Sequence, residues 1–169
     1  MHSILIASTK TLLKTKYLLD SLSDSDLRNS SIAPYHSTIG THIRHILDFY
    51  ACIFAMNENK IIDLTARTRD RTAETNCETA LQYLNSIASK IKDYKENLDE
   101  KILVRDNLGM GSLDIPYTLA AVFAQANSHT IHHYAIINYI LNGLNVSLKE
   151  DNDFGYNPTT PVQSTQESV

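Results

Sequence analysis

Apolar residues recur at helical spacing in four stretches of this chain, and polar stretches separate them. The first stretch covers residues 2–22, and the second runs from about Ser37 to Asn57. Apolar side chains three and four positions apart lie on one face of a helix, where another helix can bury them. The pattern therefore predicts amphipathic helices that pack against one another.

The third and fourth stretches each begin with a helix start signal. Thr75 and Glu78 have the spacing of a capping box, in which each side chain satisfies a free backbone N–H of the first helical turn. Pro116 suits the first turn of the fourth helix, because proline lacks the N–H that would be unpaired there. Gly143, directly after Asn142, is placed to cap the end of that helix.

Residues 97–115 interrupt the helical pattern with a short β-branched run followed by Gly109 and Gly111. This composition predicts a loop or a small hairpin between the third and fourth helices. Four amphipathic helices with short connections favour an all-α fold, a four-helix bundle over residues 1–145. Residues 146–169 form a polar tail rich in Ser, Thr and Pro, which we expect to be partly packed and then disordered.

Composition narrows the classes of partner. The hydrophobic fraction of 43% and the charged fraction of 20% are typical of globular proteins. A net charge of −4 gives no reason to expect nucleic acid or an anionic membrane as partner. No apolar run approaches the ~20 residues that span a bilayer, and two cysteines are too few for a disulfide framework. We therefore expect a cytoplasmic protein with neither nucleic-acid nor membrane partners.

The stretch SHTIHHYAII, residues 128–137, holds three of the seven histidines. His129 and His133 lie four positions apart in the middle of the apolar stripe of the fourth helix, so their rings stack on one face. A ring nitrogen without a partner costs free energy in a core. Either each ring is hydrogen-bonded inside the bundle, or the pair binds one metal ion. Metal binding needs at least one further ligand.

The second helix offers two candidates for that ligand in STIGTHIRHILDFY. His42 lies nearer the main apolar stripe, and His45 belongs to a second stripe that includes Phe49 and Cys52. Two stripes indicate that this helix contacts two neighbours, so either histidine can face inward. Periodicity alone leaves the choice open.

Two motifs make the chain resemble the DinB-like (DinB/YfiT) family of metalloenzymes. They are His45-Ile46-Leu47-Asp48 on the second helix and His129-Thr130-Ile131-His132-His133 on the last. The resemblance implies an up-down-down-up four-helix bundle in which His45, His129 and His133 bind a divalent metal ion. It also implies a homodimer, since members of the family pair through their helices.

Three neutral imidazoles leave a divalent ion with an open coordination position, as in catalytic sites. Zinc suits imidazole best, and nickel, iron and manganese are also compatible with this ligand type. The resemblance implies a metal-dependent enzyme with a small-molecule substrate, either a hydrolase or a transferase that activates a low-molecular-weight thiol. The alternative is a non-catalytic metal-binding or dimerisation module.

Three further features are candidates for the site. Asp48, about one turn beyond His45, is the candidate catalytic residue or orients a ligand, unless it is a solvated helix residue. Cys52 is on the same side of the helix as His45, although a lone helical cysteine usually fills the core. The basic cluster Arg67, Arg69 and Arg71 either holds an anionic substrate or cofactor or is a solvated loop.

Overall fold

Helices dominate the computed structural model, which describes residues 2–148 and 153–160. The helices are α1 (Ser3–Ser21), α2 (Asp24–Leu27), α3 (Ile39–Phe54), α4 (Cys77–Lys92) and α5 (Leu119–Leu144). Helix α1 packs against α4 and α5, and α3 packs against the same two helices. The four long helices share one apolar core, to which residues outside them such as Ile62 and Val104 also belong. The exact four-helix bundle topology stays a prediction.

A mixed sheet of three strands accompanies the helices: β1 (Ile61–Asp63), β2 (Lys101–Asn107) and β3 (Ser112–Thr118). Strand β2 lies in the middle, parallel to β1 and antiparallel to β3. The β2–β3 hairpin turns through Gly109 and Gly111, both at positive φ, where glycine carries no steric penalty. The predicted hairpin is therefore present, but the strict all-α class is not confirmed, because the fold is helical with an added sheet.

The start of α4 differs from the prediction by one cap. Asn76, rather than Thr75, is the cap residue, and its side-chain oxygen accepts from the backbone N–H of Thr79. The predicted Thr75–Glu78 capping box is therefore wrong. Asn is as good a cap residue as Thr, because both carry a short side chain with an acceptor oxygen.

The boundaries of α5 also differ from the prediction. Pro116 lies in β3, an edge strand, where a residue without an N–H is tolerated. Helix α5 begins at Leu119, after the Thr118 cap, and ends at Leu144. The cap residue that follows, Asn145, has the left-handed conformation. Gly143 is inside the helix, and a Cβ there would approach Ile32 Cδ1 to 2.8 Å. Close packing, not capping, accounts for this glycine.

The beginning of α3 packs directly on the 3₁₀ turn Thr72–Glu74. A Cβ on Gly40 would lie 1.9 Å from the Glu74 carbonyl oxygen, so only glycine allows this approach. The contact brings Glu74 within reach of Arg44, one turn further along α3. The loop that carries Arg67, Arg69 and Arg71 leads directly into this turn.

Beyond α5, Phe154 is buried and stacks near Tyr134, with ring centroids 4.7 Å apart. Residues 161–169, which we expect to be disordered, lie outside the described residues. Among the described residues, no helix has both the length and the apolar character needed to cross a membrane.

Candidate metal centre

Helices α3 and α5 bring His45, His129 and His133 together, and these three residues are called the histidine cluster below. His129 Nε2 lies 2.9 Å from His45 Nε2 and 3.1 Å from His133 Nε2. The three side chains can each direct a ligand atom into one region less than 4.8 Å across. This convergence of imidazole nitrogens is the arrangement that could hold a metal ion.

The packing of α3 on α5 explains why the rings meet. His129 and His133 share one face of α5 because they are four residues apart, and their ring centroids are 4.5 Å apart. His45 reaches across from α3 and sits 4.8 Å from both rings, centroid to centroid. All three residues are half-buried.

Burial keeps the three imidazoles neutral. It lowers the pKa of His45 and His129 to about 4 and that of His133 to about 3. Repulsion lowers each pKa further: the Arg67 guanidinium acts chiefly on His45, and neighbouring imidazoles, when they are protonated, act on His129 and His133. A metal ion binds the unprotonated nitrogen, so the cluster is in its binding-competent charge state at neutral pH.

His42 lies outside the cluster and contacts the ring nitrogen of His133 that faces away from it. Its Nδ1 is 2.8 Å from His133 Nδ1, and its Nε2 is 2.9 Å from Ser37 Oγ. If His133 Nδ1–H donates to His42 and His42 Nε2–H donates to Ser37, every proton has an acceptor. In that tautomer the Nε2 lone pair of His133 faces the cluster. Hydrogen-bond partners of this kind orient metal-binding histidines.

The hydrogen-bond partner of His45, unlike that of His133, can only donate a proton. Arg67 Nη1 lies 2.7 Å from His45 Nδ1, while Arg67 Nε donates to the Leu64 carbonyl oxygen at 2.9 Å. A guanidinium can only donate, so Nδ1 of His45 accepts and the ring proton lies on Nε2, facing His129. Metal binding needs the other tautomer, with the proton on Nδ1. The donor set therefore fits a divalent ion, provided that the Arg67 side chain turns away from His45.

Asp48 is buried rather than solvated, with 1% of its surface exposed. Its carboxylate accepts from Arg44 Nη1 and from the Tyr83 hydroxyl, the latter at 3.0 Å. Within residues 2–148 and 153–160 neither of its hydrogen-bond partners is a histidine. The solvated interpretation is wrong. The structure places Asp48 beside Arg44, and its assignment as a catalytic residue stays a prediction.

Two other candidates have ordinary structural positions. Cys52 is buried, and burial raises the pKa of its thiol to about 11, so it is protonated and fills the core. His132 is exposed at the edge of the cluster, with its ring centroid 5.3 Å from that of His133. Neither residue adds a ligand atom to the cluster.

The predicted basic cluster lines a cavity next to the histidines. Arg67, Arg69 and Arg71 form its wall together with Arg44 and Glu74, and the cavity has a volume of about 350 Å³. The contacts of His42 with His133 and of Arg67 with His45 could not be found from the sequence, because no spacing rule links such distant positions. The three arginines at alternate positions were the available signal.

A family model described as the DinB superfamily matches residues 9–137, which is more than half of the chain. The matched region contains the histidine cluster, Asp48 and the arginines of the adjacent cavity. No curated protein and no solved structure matches the chain. The family assignment agrees with the resemblance carried by the two histidine motifs.

Proposed function

We propose that this chain, which belongs to the DinB superfamily, binds one divalent metal ion through His45, His129 and His133 and activates a low-molecular-weight thiol. The observation that carries the proposal is the convergence of three neutral imidazoles from two helices. Zinc is the ion that suits this ligand set best, with nickel, iron or manganese as alternatives.

The metal would supply an open coordination position and lower the pKa of a thiol or water bound there. The protein supplies the rest. Burial keeps the imidazoles neutral, and a hydrogen bond from His133 Nδ1–H to His42, with His42 donating to Ser37, would leave the Nε2 lone pair of His133 facing the cluster. Because Asp48 accepts hydrogen bonds from Arg44 and Tyr83 rather than from a histidine, its contribution passes through Arg44, which makes it a positioning residue in this proposal.

Titration of the metal-free protein with Co²⁺ tests the metal site, because visible absorption reports coordination by nitrogen ligands. We expect saturation at about one equivalent in the wild type, as a three-imidazole site binds a single ion. Binding should be lost in His129→Ala and His133→Ala and kept in His132→Ala, the matched control on the same helix. Equal binding by all four proteins would contradict the proposal.

Consumption of thiol by the metal-loaded protein tests the reaction class. A panel of small thiols is combined with electrophilic acceptors, and the free thiol remaining is measured. Turnover that is lost in His133→Ala supports a thiol transferase. No turnover across the panel, with the metal bound, would favour the non-catalytic metal-binding module instead.

A further inference from the structure

We infer that the cavity beside the histidine cluster is a binding site for an anionic group of the substrate, either a carboxylate or a phosphate. The cavity, called the arginine pocket below, is lined by Arg44, Arg67, Arg69, Arg71 and Glu74. The inference rests on the proposed function only for the reaction of the substrate at the histidine cluster. Anion binding itself follows from the charge and geometry of the pocket.

The size of the pocket suits a small anion with part of the molecule attached. Its volume of about 350 Å³ corresponds to about a dozen water molecules at their share of liquid volume. The guanidinium group presents a planar set of N–H donors that matches carboxylate and phosphate oxygens in pairs. Several guanidiniums around one cavity therefore favour these two anions over a neutral ligand.

One of the four arginines is already neutralised by protein carboxylates. Arg44 donates to Asp48 through Nη1 and to Glu74 through Nε, so both carboxylates form an ion pair with the same guanidinium. Arg44 therefore holds the wall of the pocket in place, and its charge is compensated. Asp48 and Glu74 together carry one negative charge more than Arg44, which offsets one of the other three arginines and leaves the pocket with a net positive charge of about two.

The other three arginines have no carboxylate partner within the part of the chain that the structure describes. The contacts of Arg67 are a carbonyl oxygen and a neutral imidazole. Arg69 and Arg71 are exposed and form no ion pair there. Asp70, between them in sequence, accepts instead from the N–H and hydroxyl of Thr72 and does not line the pocket. The pocket thus has uncompensated positive charge.

Arg67 connects the arginine pocket to the histidine cluster. The guanidinium that lines the pocket also donates to His45 Nδ1 at 2.7 Å. An anion in the pocket that contacts Arg67 is therefore one side chain away from His45. If Arg67 turns toward the anion, His45 Nδ1 is released to carry its own proton, and Nε2 then faces the cluster as a free acceptor. Anion binding and metal binding thus favour each other.

Calorimetric titration of the metal-free protein with inorganic phosphate, and separately with succinate, tests the inference. We expect saturable binding of at least one anion, and binding of one alone identifies the phosphate or the carboxylate as the recognised group. Arg69→Gln and Arg71→Gln should each weaken binding about tenfold, since each removes charged hydrogen bonds. Arg28→Gln, an exposed arginine outside the pocket, is the matched control and should bind like the wild type.

Absence of saturable binding by both anions would overturn the inference, as would equal weakening in Arg28→Gln. The imidazole ¹⁵N resonances supply the second readout. The bound anion should shift the resonances of His45, and unchanged His45 resonances would contradict the coupling of the pocket to the cluster through Arg67. Because no metal is present, a failed Co²⁺ titration leaves this result intact. The reverse also holds, since the Co²⁺ titration contains neither anion.

Discussion

The position of one proton on the His45 ring decides whether this residue donates a hydrogen bond to His129 or can bind a metal ion. With Arg67 donating to Nδ1, the proton lies on Nε2 and His45 is part of a hydrogen-bonded pair with His129. With the proton on Nδ1, His45 presents a lone pair to the cluster. The side chain of Arg67 therefore acts on the metal affinity of a residue 22 positions away in sequence.

Replacing Arg67 by glutamine should strengthen metal binding. The glutamine oxygen can accept from His45 Nδ1–H, which favours the tautomer that metal binding needs, so we expect Co²⁺ affinity to rise about tenfold. Optical titration of metal-free Arg67→Gln against the wild type measures it. Arg71→Gln, which also removes a positive charge from the pocket wall, serves as the control. Unchanged or weaker binding by Arg67→Gln would show that Arg67 does not oppose the metal.

His42 should act in the opposite direction. Its replacement by alanine removes the ring nitrogen that lies 2.8 Å from His133 Nδ1, so His133 loses the hydrogen bond that fixes its orientation. We expect the Co²⁺ affinity of His42→Ala to fall by about tenfold, as for partners of metal-binding histidines in general. His132→Ala, an exposed neighbour of His133, controls for the loss of an imidazole near the site. Equal affinities of the two variants would rule out the positioning role.

At the scale of elements, α3 contacts the 3₁₀ turn Thr72–Glu74. Helix α3 carries His45 of the histidine cluster, and Glu74 in the turn lines the arginine pocket. Gly40→Ala would place a Cβ against the rigid Glu74 carbonyl, and we expect a loss of about 3 kcal/mol in the free energy of unfolding. Gly143→Ala is the matched control, because the atoms nearest to its Cβ are side-chain atoms of Ile32, the nearest being Cδ1 at 2.8 Å, rather than backbone atoms of a neighbouring element. Urea denaturation measures both. A smaller loss for Gly40→Ala than for Gly143→Ala would contradict this packing.

The long helices were predictable from sequence, because their periodicity is a local property. The i, i+4 spacing also placed His129 and His133 on one face. The sheet was only half predictable. The β2–β3 hairpin is local, whereas the parallel pairing of Ile61 with Leu103 joins distant segments. The assignment of Pro116 to a helix was wrong because proline is compatible both with a first helical turn and with an edge strand such as β3.

The candidate site was predictable only in part. Helix α3 has two apolar stripes, so periodicity could not choose between His42 and His45, and only the packing of α3 against α5 separates their positions. The contact of Arg67 with His45 depends on the path of the loop after β1. The contact of Asp48 with Tyr83 depends on the packing of α4 against α3. Neither contact has a sequence spacing that would reveal it.

At the scale of the whole molecule, the histidine cluster links stability to pH. The folded-state pKa values of about 3 to 4 lie below the ordinary value of 6.5, so between these limits the unfolded chain binds more protons than the folded one. Stability of the metal-free protein should therefore fall as the pH drops from about 6.5 toward 4. His133→Gln should show a shallower fall in denaturation experiments. Parallel pH profiles of the two proteins would contradict the assigned shift.

The central claim is that His45, His129 and His133 bind a divalent metal ion, and the metal content of the protein purified without an affinity tag tests it most directly. Elemental analysis should find about one equivalent of divalent metal per chain in the wild type and in His132→Ala. His129→Ala and His133→Ala should contain only traces. Traces in all four proteins, or the same content in all four, would contradict the claim.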